Sequence, residues 1–146
     1  MQVNEVLLKL FNEVTGLEQK VVITGEFKNI SNNDMHIIEA IGIEEPKTMS
    51  TVAKNMRITV GTLTIAINNL VKKGYVERTR SESDRRVVLI SLTDLGRRAY
   101  HHHAKYHQDM IDATVNGLTD EEVQILIKSL SNLSGYFKDV YNQPEI

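Results

Sequence analysis

Six short side chains stand together near the middle of the chain: Thr59, Gly61, Thr62, Thr64, Asn68 and Asn69. A second group follows: Arg80, Ser81, Ser83, Asp84, Arg85 and Arg86. The first offers hydroxyls, carboxamides and bare backbone at helical spacing. A helix about 12 Å across fits a major groove about 12 Å wide. Short polar groups near its start reach base edges without holding the backbone away. Threonine methyls pack on thymine methyls, and asparagine bonds bases or phosphates. No Arg or Lys occupies the first turns of this segment, so A·T-rich DNA is the expected target. The second group suits a hairpin tip whose arginines enter a narrow, electronegative minor groove. Asp84 is the exception there. Its expected part is orientation, either pairing with Arg86 or capping the turn.

The charge distribution agrees. Residues 47–105 carry twelve Lys and Arg against four Asp and Glu, while the rest of the chain carries five against fifteen. A basic segment within an acidic chain of net charge −2 points to a local polyanion site. Lys54, Lys72 and Lys73 are either phosphate contacts or solvated lysines.

Other chemistries find little support. There is no cysteine, which excludes disulfides and thiolate ligands or nucleophiles. No Gly-rich phosphate loop and no nucleophile–base arrangement is present, and Asp120, Glu121 and Glu122 read as acids at a helix start. The expectation is a protein that is not an enzyme and requires no cofactor. No signal peptide and no run of about 20 apolar residues is seen, so a cytoplasmic protein is expected.

The elements that must position these groups follow from periodicity. Val3, Val6, Leu7, Leu10, Phe11, Val14 and Leu17 predict one amphipathic helix over 3–23. Ser31, with Asp34 three residues on, starts a second that ends near Gly42 before Pro46. Thr48 or Ser50 starts a short third helix with Val52, Ala53 and Met56 inward. Arg57 and Ile58 make a turn. Thr59 or Gly61 starts a fourth helix with Val60, Leu63, Ala66 or Ile67, Leu70 and Val71 inward, ending at Gly74. Residues 75–79 alternate as a strand, and beyond the charged turn the β-branched run 87–92 is the return strand. Thr93 caps a long fifth helix to about Asn116, and Thr119 caps a sixth. The predicted fold is mainly α (α+β), a winged helix-turn-helix with a two-stranded β-wing and long terminal dimerisation helices. It forms a single subunit over 1–146, with a DNA-binding region at 31–93 and helical dimerisation regions at 1–30 and 94–146. The terminal apolar stripes suggest a homodimer.

Five histidines stand at 36, 101, 102, 103 and 107. His103 and His107 share a helix face, a spacing that can hold a metal, with His36, and Glu18 or Glu39, as further ligands. A polar cluster bonded between helices, or a hinge that responds to an effector, is preferred over metal for His36, His103 and His107.

The segment ITVGTLTIAINNLVKKGYVERTRSESDRRVVLISLTDLGR, with its Asp84-Arg85-Arg86 and Leu92-Thr93 pairing, resembles MarR-type winged-helix regulators. The terminal helices match that family's dimerisation ends, so the resemblance spans the chain. It implies a homodimer that binds palindromic operators and represses transcription. NDMHIIEAIG, KKGYVERTRSESDRRVV and HHHAKYHQDM further resemble the fatty-acid-synthesis repressors of streptococci and enterococci. That subgroup implies long-chain acyl-acyl carrier protein as corepressor, its acyl chain in an apolar tunnel between the first, second and fifth helices. Arg97, Arg98 and Lys105 are then docking candidates for the acidic carrier. A zinc-responsive regulator using His36, His103 and His107 is the first alternative. A module whose basic segment holds an acidic protein, not DNA, is the second.

Overall fold

The computed structural model describes residues 2–22, 25–27 and 29–142, with the side chains at 15 and 17–25 outside the description. Glu18, a candidate ligand, and Leu17 therefore lie outside the described side chains.

The elements run α1 (Val3–Val22), a 3-10 turn (Gly25–Phe27), α2 (Asn32–Ile41), β1 (Lys47–Thr48), α3 (Met49–Met56), α4 (Val60–Lys72), β2 (Val76–Arg80), β3 (Val88–Leu92), α5 (Asp94–Val115) and α6 (Asp120–Tyr141). Among the described residues no helix is long and apolar enough to cross a membrane.

Capping chemistry sets the helix starts. Ser31 Oγ accepts from Asp34 N while Asp34 Oδ2 accepts from Ser31 N, and Thr119 and Glu122 do the same at α6. Thr48 starts α3 and Thr59 starts α4, each hydroxyl accepting a backbone N–H three residues on. Arg57 closes α3 in the left-handed region at φ 56°. This turn between α3 and α4 is therefore built without glycine, which few residue types tolerate.

The expected two-stranded wing, β2 and β3, is present, and β1 joins it to give a three-stranded antiparallel sheet in the order β1-β3-β2. β2 pairs with β3 from Val76↔Leu92 to Arg80↔Val88, and Lys47 and Thr48 add a two-residue edge against Ile90 and Leu89. Two residues give no alternation, so this strand exists only through its partner.

The chain divides into two compact units, residues 1–105 and 106–146, with α5 running through the division. In the first, Met35, Ile37, Ile38 and Ile41 of α2 meet Val52 of α3, Leu63, Ile67 and Leu70 of α4, Tyr75, and Ile90 of β3 in one core. At Gly96 the start of α5 passes against the Tyr75 carbonyl oxygen, where an added Cβ would overlap backbone. The second unit holds the end of α5 and all of α6. It exposes Ile111, Ile125, Ile127, Leu130 and Phe137.

Candidate nucleic-acid interface

α4 buries Leu63, Ile67 and Leu70 against the core and turns its other face out. Thr59, Gly61, Thr62, Asn68 and Asn69 are exposed and Thr64 is half-buried. The expected face is therefore presented, but its hydroxyls differ in availability. Thr59 Oγ1 accepts from Thr62 N at 3.1 Å and donates to Thr62 Oγ1 at 2.9 Å. Thr59 thus acts first as the cap, and the Thr62 hydroxyl keeps its hydrogen for an outside acceptor. Thr64 Oγ1 donates to Val60 O at 2.8 Å, which leaves its methyl and a lone pair to face outward.

Two positions correct the sequence reading. Val60 was expected inward, yet it is 45% exposed. It shares the face of Ile67 but sits in the first turn, beyond the edge of the core. Ile65 is 68% exposed and was not singled out. It stands two residues from Leu63, about 200° around the helix, and so among the polar face. An apolar side chain placed there suits a thymine methyl. Its angular position against Leu63 and Ile67 was the available signal.

The wing turn is tied at both ends. Ser81 N donates to Val87 O and Val87 N donates to Asp84 O, both at 2.9 Å. Asp84 Oδ1 accepts from Arg86 N at 3.0 Å and Nε at 3.2 Å, and Oδ2 accepts from Nη2 at 3.3 Å. Both expected parts of Asp84, pairing and turn capping, occur together. These contacts, the Arg86 side chain before its backbone N–H, hold the Asp84 carboxyl below its usual 3.8. Arg80 Nη1 donates to Arg85 O at 2.8 Å, and Ser81 and Ser83 share a hydrogen bond. Among the described residues no hydrogen bond or ion pair engages the Arg85 guanidinium. Three arginines thus stand on one turn, with Arg86 91% exposed even while paired. A further contact, Arg78 Nη2 to Asn68 Oδ1, joins β2 to α4. No sequence signal announces it, because strand and helix meet only in the fold.

Others of the candidates make contacts within the chain. Lys73 pairs with Asp34 at 3.6 Å. Arg97 Nη1 donates to Ile43 O at 3.1 Å, and Arg98 pairs with Glu26 at 3.3 Å, so both hold elements of their own chain. Lys105 is exposed on α5. His103 is buried, with Nε2 3.6 Å from Glu39 Oε2 and its ring 6.2 Å from that of His36. His107 lies one turn further along α5, in the second unit. Imidazole and carboxylate are donor types a zinc ion accepts. The same pairing also gives the buried imidazole a carboxylate partner inside the protein.

Comparison with known proteins agrees with this geometry. The profile of the MarR family matches residues 30–88. Among curated proteins, the uncharacterized HTH-type transcriptional regulator YwhA of Bacillus subtilis is 29% identical over 73% of this chain and 77% of its own. The transcriptional regulator AdcR of Streptococcus pneumoniae is 28% identical over 92% of each. The crystal structure of Streptococcus pneumoniae FabT in complex with DNA is 40% identical and superposes with a TM-score of 0.84. That match covers 94% of this chain and 96% of the other. On the order of its elements, its wing and these matches, the chain belongs to the MarR family of DNA-binding transcriptional regulators.

Proposed function

We propose that this chain represses fatty-acid biosynthesis genes, binding a palindromic A·T-rich operator as a homodimer with long-chain acyl-acyl carrier protein as corepressor. The observation that carries the reading is the 40% identity, over nearly the whole length, to a FabT captured on DNA. The geometry supports its parts. The outer face of α4 bears Gly61, Thr62, Thr64, Ile65, Asn68 and Asn69, with no cation in its first turns. This face suits A·T base pairs in the major groove, with Thr59 as its cap. Arg85 and Arg86, presented by a turn tied through Arg80, Ser81, Ser83 and Asp84, suit the flanking minor groove. With this face and turn on a DNA-binding fold, the reading of the basic segment as a dock for an acidic protein falls away.

The second unit supports the homodimer. Met110, Ile111, Val115, Val123, Leu126, Ile127 and Leu130 line a groove of about 390 Å³ whose walls are almost wholly apolar. Exposed apolar side chains gathered in one groove suit the apolar surface of a partner. A second copy brings the same face by two-fold symmetry, and that symmetry spaces half-sites about 34 Å apart.

The corepressor rests on the subgroup resemblance. Arg97 and Arg98 already bind Ile43 O and Glu26, so a carrier docking at Arg97, Arg98 and Lys105 would have to share these two arginines. A mobility-shift titration on the operator of a fatty-acid synthesis gene cluster tests the whole. Long-chain acyl-acyl carrier protein is expected to raise affinity at least several-fold over unloaded carrier. No difference between loaded and unloaded carrier would sink the fatty-acid reading while leaving the family untouched.

A further inference from the structure

Arg78 was not part of either candidate group, yet its place in the fold gives it a task at the base-reading surface. Side chains alternate across a strand, so Val76, Arg78 and Arg80 share one face of β2. Val76 is buried and fixes that face toward the core. Two residues on, the core has ended, and the same face reaches the exposed flank of α4. There Arg78 Nη2 donates to the Asn68 carboxamide oxygen. Asn68 stands one turn after Thr64 and three residues after Ile65, in the middle of the outer face of α4.

We propose that Arg78 is a positioning residue that sets the hydrogen-bond polarity of Asn68. A free asparagine turns its amide either way and bonds adenine through both groups, accepting from N6 and donating to N7. Here the oxygen faces the wing and is held by a guanidinium. Among the described residues no carboxylate neutralises that guanidinium. Its charge polarises the amide and strengthens the Nδ2–H donors, which are the groups left to Asn68 for a base. Asn68 therefore reads its base pair as an acceptor position, namely thymine O4, a purine N7 or guanine O6. It no longer reads adenine bidentately. The wing thus sets the specificity of the recognition helix without touching a base.

The inference rests on α4 lying in the major groove. Its test uses a palindromic duplex selected by the full-length chain from a randomised pool, then varied one base pair at a time in both half-sites. Wild type, N68A, R78A, R78K and the N68A/R78A double variant are measured against the set. N68A is expected to flatten discrimination at one base pair by about ten-fold, R78A to shift the preference at that same pair toward adenine, and the double variant to match N68A. R78K keeps the charge and exchanges the planar fork for a rotating ammonium, so it shifts the same position in the same direction with the salt slope unchanged. A uniform loss over all duplexes in R78A, with the slope reduced by about one and the profile intact, would make Arg78 a phosphate contact and overturn the proposal. So would losses that multiply in the double variant. Failure of the wild-type chain to select any duplex would instead count against the placement of α4.

Discussion

An aspartate on a DNA-facing turn ought to repel phosphate, and Coulomb's law alone favours its removal. The geometry of the turn argues the opposite. Asp84 accepts two guanidinium hydrogens and the backbone N–H of the same residue, Arg86. A long, flexible side chain, almost fully exposed, is thereby held in one direction before DNA arrives. Asp84→Ala is therefore expected to weaken operator binding by about ten-fold, the loss of one ordered charge-assisted contact, although it adds a net positive charge. Fluorescence anisotropy at fixed salt checks this, and tighter binding by the variant would show that only charge matters. Proton linkage gives an independent reading. A carboxyl held low keeps its pairing above the usual Asp range and loses it as pH falls through the depressed value. In an NMR titration Asp84 should titrate below 3.8 and move up toward it in Arg86→Ala. DNA binding between pH 5 and 8, values about as far from this range as cells impose, should carry no Asp84 dependence.

At the scale of elements, α4 is aimed by its junctions. Tyr75, fully buried, sits between the end of α4 and the start of β2, and its hydroxyl donates to Asn29 Oδ1 at 2.7 Å. Burial first, then the nearby Glu26 charge, raises the Tyr75 phenol pKa, so the hydroxyl stays a donor. Tyr75 O in turn accepts from Thr93 N at 3.0 Å, and the first turn of α5 rests on it at Gly96. Gly96→Ala must push this backbone apart, since no flexible side chain can yield. A loss of about 2–3 kcal/mol is expected, at the upper end for overpacking. Chemical denaturation would measure it, and a change under about 0.5 kcal/mol, the size of an ordinary surface substitution, would mean that α5 is not pinned there. The caps at Ser31, Thr48, Thr59 and Thr119 were legible in the sequence, because a hydroxyl and the N–H three residues on are local partners. Gly96, Arg78 and β1 were not. Each takes its meaning from a backbone or side chain distant in sequence, which periodicity does not carry. Val60 shows the same limit from the other side. Helical phase gives a residue's face, but not where along the helix the core stops.

For the molecule as a whole, the apolar face of the second unit must be covered if the chain is to remain soluble at working concentrations. Ile127 and Leu130 are each about half exposed on α6, at the lip of its groove. In the proposed homodimer a second copy covers them and sets the spacing of the two reading helices, so assembly and DNA affinity are coupled. Leu130→Asp places a charge where that interface excludes water, a cost the pairing of two copies cannot offset. The variant is expected to sediment as a monomer with the helical content of α1–α6 retained by circular dichroism. On DNA the consequence is quantitative. Each half-site contact set releases its own counterions, so the slope of log affinity against log salt is proportional to the phosphates engaged. A monomer engages one set, and its slope should fall to about half that of wild type, with half-site and full-site duplexes bound alike. A Leu130→Asp protein that sediments as wild type and keeps the full slope would place the dimer contact elsewhere than this groove.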